Sequence, residues 1–525
     1  MKVLIIGLDG ATWDLIIPWA KEGYLPTFRT LMQEGVWGTL ESTTPPYTIP
    51  AWLSLSTGKT PESLGVYSFM VKKGYTFRPY FMVKRREIKF WDLVSESGRK
   101  VAILNPPDVH YAYKVNGIMV SGFLNASKEK LTYPPDLIDV LNDITNGYEI
   151  DSISVDFSKA IPRPRREAVL NPTYILNVHY KHFKAFKYMF QKMKADLTFM
   201  VFTILDRIQH ICWGEKEILL SCYKIVDRHI RELMQLIDED DVLVLVSDHG
   251  FTGLKRNLYV NDFLIREGYL TLKTRKSRFF KNFREQLSRS RSIRRLLLNI
   301  LNFLPQRLRE EILSKSLPIR ITDALVDWTK SKAFVFSGLG EIYLNVKGRD
   351  PNGIISPEEY EKVRTEILER LRKIEEPKIG DKISCNAFKV PKRNIVYDDT
   401  PDLIIEETEE FNVDPSIGHN IIIERYEQPV KGQHSKRGIF LAYGHGIKKN
   451  YKTDIKIFDI APTILHIFAL PVPIEMDGRV IKEMFDPNSS FADRDILFTS
   501  LTKEILRKKV SAVKDKLRYE KNLEV

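Results

Sequence analysis

Cysteine is scarce. Cys212, Cys222 and Cys385 are too few and too scattered in 525 residues for a disulfide framework, and their spacing fits no zinc ribbon or redox pair. The expectation is a reducing compartment, the cytoplasm. Long apolar runs are missing as well. The longest cluster, LLLNILNFL near residue 300, falls short of the roughly 18 residues needed to cross a bilayer. The opening MKVLIIGLDG has too short an apolar stretch for a signal peptide and reads instead as a buried first strand. Internal repeats and low-complexity tracts are absent. At 43% hydrophobic and 28% charged, the composition excludes a disordered or collagen-like chain and can fill a sizeable core.

Charge is present but uneven. The net charge is +12, and residues 271–309 alone hold twelve Lys or Arg against one acid, Glu285. Such a stretch could attract an anionic substrate, an anionic membrane surface or a nucleic acid, or could simply be a solvated helical lid.

Short apolar runs alternate with helix-like stretches. VLIIG, VAILN and GIMVSG read as strands, and Pro26–Gln33 and Phe90–Glu96 as helices. DLTFMVFTILDR reads as a further strand and EILLSCYKIVDRHIRELMQLI as an amphipathic helix. The continuous apolar strand in DDVLVLVSDHGF suits a sheet buried on both faces. Later, AFVFS, EIYLNV, DLIIEE and GIFLAYG read as strands, the last two as core strands, and DIAPTILHIFAL as a helix capped by Asp459. This alternation predicts an α/β fold around a mostly parallel sheet. The expected divisions are a first part of the catalytic core at 1–270, a basic helical cap at 271–330 and an α/β segment at 331–395. The second part of the core follows at 396–485, and a charged C-terminal helix at 486–525.

Chemistry-bearing groups gather at four strand ends, where open α/β sheets bind ligands. Asp9 ends the first strand. Asp206 follows TFMVFTIL, with His210 four residues on; a helix starting there would put both on one face. Asp248 and His249 end VLVLVS, and His434 precedes GIFLAYG in GQHSKRG. Each piece alone is more often a turn, a cap or a surface histidine. A buried Asp-His pair is the best of them, because burying both without a ligand is costly. Two cations about 4 Å apart, beside a hydroxyl, would let such a set carry out phosphoryl transfer. The stretch 43–69 supplies several Thr and Ser hydroxyls, and composition does not choose among them; Thr48 before Pro50 also fits a simple helix start. His445 and His419 read as loop residues, with lining of the cleft the alternative for His419, and His466 as a packed core residue. His179 and His182, in NVHYKH, have metal-like spacing but read as a helical surface.

Taken together, GLDGATWD (7–14), TIPAW (48–52), STGKTPESLGV (56–66), DRIQH (206–210), SDHGF (247–251), GQHSKRGIFLAYGHGIK (432–448) and DIAPTILHIFALPVPIEMDGR (459–479) resemble the alkaline phosphatase superfamily, in its type I phosphodiesterase/nucleotide pyrophosphatase branch. The resemblance implies an alkaline-phosphatase-like three-layer sandwich and two divalent metal ions, zinc by the usual pattern with manganese an alternative. It implies Asp9, Thr48, Asp248 and His249 around one ion and Asp206, His210 and His434 around the other. Thr48 would be the catalytic nucleophile, forming a covalent threonine intermediate while a phosphodiester or pyrophosphate bond is cleaved. The alternative is a phosphomonoesterase or phosphotransferase acting on a sugar- or lipid-linked phosphate. The expected partner is a phosphate-ester or nucleotide-like small molecule, with peripheral contact to an anionic membrane as an option and nucleic acid not expected. Two features depart from the pattern: Ala51 stands where relatives often place a phosphate-holding Asn, and the signal or membrane segments of the family's secreted members are not expected here. No Cys-x-Pro-x-Arg motif lies near Thr48, which argues against sulfate esters.

Overall fold

The computed structural model describes residues 1–80, 87–122, 130–150, 171–273, 325–338, 340–376, 380–383, 385–392, 395, 398–406, 411–419, 421–426 and 432–501. Most of the basic stretch at 271–330, and the tail beyond 501, lie outside the described residues. The chain forms two compact units. The first is Met1–Leu64, Arg85–Phe251 and His434–Val525; the second is Gly65–Lys84 and Thr252–Gln433.

The first unit is built on a ten-stranded sheet. Its strands, in chain order, are β1 (Val3–Leu8), β2 (Val36–Glu41), β3 (Val101–Leu104), β4 (Gly117–Val120), β5 (Thr132–Tyr133), β6 (Leu197–Phe202), β7 (Val242–Val246), β8 (Arg437–Gly444), β9 (Tyr451–Lys452) and β10 (Ile455–Lys456). Across the sheet they run β9-β2-β8-β7-β1-β6-β3-β4-β5, with β10 beside β2. The centre, from β7 through β4, is parallel. Strand β8 joins antiparallel to β7 and β2, and β5 antiparallel to β4.

The central strands are continuous apolar runs because both of their faces are covered. Leu4, Ile6 and Leu8 of β1 belong to one core, and Val3 and Ile5 to the other. The first core takes helices α1 (Trp13–Lys21), α2 (Pro26–Glu34), α6 (Pro172–Met193), α7 (Ile204–Cys212) and α8 (Lys216–Met234). It also takes α5 (Leu137–Thr145). The second takes α3 (Thr48–Thr57), α4 (Phe90–Glu96) and α9 (Ile460–Ile467). Helix, sheet and helix make the three layers expected. In the second core Trp52 is fully buried against Phe199, with ring centroids 5.9 Å apart. Gly7 permits this contact: a Cβ there would lie 2.5 Å from the Trp52 ring. On the other face, Asp227 of α8 caps α2 by accepting the Thr27 and Phe28 amides at 3.2 and 2.9 Å.

Three details differ from the sequence reading. TILDR does not extend its strand: β6 ends at Phe202 and α7 begins at Ile204, so Asp206 is helical. DLIIEE forms no part of the large sheet; Leu403–Ile405 is a strand of an antiparallel four-stranded sheet in the second unit, between Glu341–Leu344 and Ala387–Lys389. His179 and His182 are buried, not on a helical surface. Helix α6 carries Ile175, Val178, Phe183, Phe186 and Phe190, and so buries a wide face that takes both histidines. His179 Nε2 lies 3.0 Å from His229 Nδ1, and His182 Nε2 is 2.7 Å from the Glu149 carbonyl.

The second unit has its own core around Phe263, Tyr343, Tyr360 and Ile367. Several of its buried charges are paired. Arg349 donates from both Nη atoms to Asp402, which also accepts the Tyr360 hydroxyl at 2.7 Å, and Lys72 pairs with Asp350. Burial acts upward on the Asp402 carboxyl, but Lys392, 3.4 Å away, and Arg349 outweigh it and keep the group well below its ordinary range.

Trp52→Ala removes a fully buried side chain and is expected to lower stability by about 3–5 kcal/mol, read from the urea unfolding midpoint. Ile474→Ser, at a site 64% exposed, is expected to stay within about 0.5 kcal/mol in the same measurement.

Candidate metal centre

The parallel strands β1, β6 and β7 end side by side, and each hands the chain to a polar turn. Asp9 follows β1, and its amide donates to the Phe202 carbonyl at the end of β6 at 3.0 Å. Asp206, in the first turn of α7, donates its own amide to the Asp9 carbonyl at 3.0 Å. Backbone bonds thus bring two acidic residues, 197 positions apart in sequence (206 − 9), to one place. Gly10 makes the turn possible. Its φ is +75°, and a Cβ would stand 3.0 Å from the Asp206 Cα. Asp248 and His249 follow β7. The Gly10 amide approaches Asp248 Oδ1 at 3.4 Å, and Ser42 donates its hydroxyl to the Asp248 carbonyl at 2.5 Å. His434 comes from the short strand Gly432–Ser435.

Seven side chains were expected here, and the side-chain contacts join six of them. His249 Nε2 lies 3.5 Å from Asp9 Oδ1 and 3.3 Å from Asp248 Oδ2. Asp206 Oδ1 lies 3.2 Å from both His210 Nε2 and His434 Nε2, which are 3.0 Å from one another. The His249 and His434 rings stack with centroids 3.5 Å apart. Two donor groups result, Asp9/Asp248/His249 and Asp206/His249/His434. His210 adjoins the second, and His249 stands between the two, 3.9 Å from Asp206 Oδ1. Thr48, the seventh, is buried at the first position of α3. It directly follows Pro46, whose carbonyl is 3.0 Å from His434 Nδ1, and Tyr47, whose ring centroid is 6.0 Å from that of His434.

The donor chemistry fits divalent cations. The His434 and His249 Nδ1 atoms face backbone carbonyls, of Pro46 and of Gly250, at 3.0 and 3.1 Å. A carbonyl only accepts, so in the neutral rings each Nδ1 carries the hydrogen and each Nε2 presents a lone pair toward the carboxylates. Metal-binding histidines are oriented in this way. The triangle of Asp206 Oδ1, His210 Nε2 and His434 Nε2 has edges of 3.0, 3.2 and 3.2 Å. Tetrahedral zinc with bonds of about 2.0–2.1 Å would set ligand–ligand edges of about 3.3 Å. The buried atoms Asp248 Oδ2 and His249 Nε2, though close, make no hydrogen bond.

Electrostatics point the same way. Burial, with Asp9 and Asp206 close by, pushes the Asp248 carboxyl well above its ordinary range. Burial and the neighbouring His434 hold His249 well below its ordinary value, and burial lowers His434 too. For Asp206 burial acts upward, but His210 and Arg207 outweigh it and hold the carboxyl well below the usual range. A bound cation would invert the cost of burying these groups.

Sequence reasoning missed the supports of this site. Gln209 is buried, donates to the Gly10 carbonyl at 2.7 Å and accepts from the Tyr223 hydroxyl at 3.0 Å. That hydroxyl accepts the Thr12 amide at 3.3 Å. A polar Gln between Ile208 and His210 in DRIQH was the available signal. His445 and His419 lie outside both donor groups. His445 is 3.8 Å from Asp240, and His419 stacks on Tyr259 at 3.5 Å. His466 is a packed core residue, 2.8 Å from the Phe491 carbonyl.

Residues 3–435 match the sequence model of the type I phosphodiesterase/nucleotide pyrophosphatase family. The chain belongs to that family. This makes it a phosphohydrolase. Among solved structures, phosphonoacetate hydrolase from Sinorhizobium meliloti 1021, in complex with phosphonoformate, is 15% identical with a TM-score of 0.50, over 88% of this chain and 94% of that one. Murine ectonucleotide pyrophosphatase/phosphodiesterase 5 is 12% identical with a TM-score of 0.47, over 93% of this chain and all of that one. At these identities the likeness to the hydrolase speaks for the fold alone. No curated protein matches the sequence. Among the described residues, no helix is long and apolar enough to cross a membrane.

Without metal, a charged Asp248 destabilises the fold. Its folded-state pKa lies above the unfolded one, so the cost appears as the pH rises above the ordinary value of 3.8 and is absent below it. Metal-free Asp248→Asn is therefore expected to melt above the metal-free parent at neutral pH. Zinc is expected to raise the parent's melting temperature more than the variant's. Scanning calorimetry with and without zinc checks both.

Proposed function

We propose that this phosphohydrolase cleaves a phosphodiester or pyrophosphate bond of a small phosphate ester through a covalent intermediate on Thr48. The observation that carries the reading is the convergence of two Asp/His donor groups, joined through His249, beside the helix end that begins at Thr48. In this reading Asp9, Thr48, Asp248 and His249 hold one divalent ion, and Asp206, His210 and His434 hold the other. Mixed imidazole and carboxylate donors suit zinc, with manganese the alternative. Two such ions would grip the phosphoryl oxygens, lower the pKa of the Thr48 hydroxyl and activate the hydrolytic water.

The chain's own residues supply the rest. Thr48 Oγ loses its proton and forms a bond to phosphorus, while the bond to the leaving oxygen breaks and that oxygen takes up a proton. The positive end of α3 favours negative charge on Oγ. A water oxygen then bonds to the phosphorus, Thr48 Oγ leaves with the bonding electrons, and the hydroxyl regains a proton. Pro46 and Gly250 hold the His434 and His249 rings in one orientation throughout. Ala51 offers no side-chain donor to the phosphate. The three cysteines are buried and free, which suits the cytoplasm.

The test is hydrolysis of bis(p-nitrophenyl) phosphate with added zinc or manganese. Chelation is expected to stop turnover and zinc to restore it. Thr48→Ala is expected to lower kcat by a factor on the order of 10⁴ or more, with the Asp206/His210/His434 ion still bound. Full activity of Thr48→Ala would overturn the reading.

A further inference from the structure

Asp206 and Arg207 are neighbours on α7, and adjacent helical positions point about 100° apart rather than toward each other. Arg207 nevertheless turns its guanidinium back. Its Nη1 donates to Asp206 Oδ2 at 2.5 Å, with the arginine side chain 9% exposed and the aspartate 1%. Bringing a guanidinium out of water beside the strand ends is costly unless it is paired with an anion. Asp206 is that anion.

The pairing divides the two carboxylate oxygens. Oδ2 faces Arg207, while Oδ1 faces the imidazole nitrogens, 3.2 Å from His210 Nε2, 3.2 Å from His434 Nε2 and 3.9 Å from His249 Nε2. The terminal torsion of an Asp side chain is broad, so nothing in the residue itself fixes the plane of its carboxylate. A guanidinium hydrogen-bonded to the outer oxygen does. Asp248, in the other donor group, is differently held: a neutral amide, Gly10 N, approaches its Oδ1 at 3.4 Å. The arginine therefore acts on one donor group and not on both.

We infer that Arg207 is a positioning residue for Asp206, fixing the plane of its carboxylate so that one oxygen faces His210 and His434, and so setting how tightly that donor group holds a divalent ion. The inference rests on the reading of this site as a metal centre.

The test is a zinc titration of the metal-free, full-length protein against a chromophoric chelator, for the parent, Arg207→Ala and Arg207→Lys. The parent is expected to bind two equivalents. In Arg207→Ala one equivalent should weaken about 10- to 100-fold while the other keeps its affinity. Arg207→Lys should recover part of the loss, because it restores the charge without the fork. Should Arg207→Ala not fold, Arg207→Gln, which keeps a donor but no charge, carries the same expectation. Two unchanged equivalents in the variants, with only the KM for substrate raised, would overturn the inference and make Arg207 a phosphate contact. Equal weakening of both equivalents, without recovery by lysine, would overturn it in favour of a general structural role. A parent that binds no zinc sinks the metal-centre reading itself, a result distinct from either of these.

Discussion

Asp9, Asp206 and Asp248 converge where water is excluded, and their mutual repulsion is the constraint on which the rest of the site depends. Three buried carboxylates within reach of His249 are not a stable arrangement for a protein alone. Two responses are visible. Asp248 is pushed toward its neutral form, and Asp206 is paired with Arg207 and imidazole nitrogens. A core designed only for stability would place apolar residues here, as the same strands do along nearly all of their length. Carboxylates and lone-pair-bearing imidazoles in one pocket make sense as a preformed cradle for positive charge.

The large sheet explains how such a cradle is built. Its central strands are apolar on both faces, with Thr198 the polar residue within β6, and they place their charged residues at their ends. Because β7, β1 and β6 are parallel neighbours, their ends are also neighbours, and three separate turns deliver Asp248, Asp9 and Asp206 to one edge. Backbone bonds, Asp9 to Phe202 and Asp206 to Asp9, then fix the turns against one another. Antiparallel β8, entering beside β7, is preceded by the strand that carries His434. Topology thus does the assembling, and the side chains need only the right identity at each strand end.

Much of this was legible in the sequence, for identifiable reasons. Strand–helix alternation is a strong signal when the strands are continuous apolar runs, and VLIIG, VAILN and VLVLV are such runs. Asp9, Asp248 and His249 were legible because they interrupt apolar strands at their ends, and Asp206 and His210 because their four-residue spacing suits one helical face. What escaped was set by contacts distant in sequence or contrary to simple spacing. Arg207 turns back on its neighbour, which the geometry of adjacent helical positions argues against. His179 and His182 looked like surface residues because the breadth of the buried face of α6 depends on what packs over it. Leu403–Ile405 has the composition of a core strand, yet pairs in another sheet, since composition reports burial and not the partner. The position of His249 between the two donor groups could be seen only in three dimensions.

On the proposed reading, the ends of these strands hold a pair of cations. Anomalous diffraction at the zinc edge, from crystals of the protein grown with zinc, is the decisive measurement. Two peaks are expected, one among Asp9, Thr48, Asp248 and His249 and one among Asp206, His210 and His434. Fully occupied zinc elsewhere on the protein, with no peak among these residues, would contradict that reading.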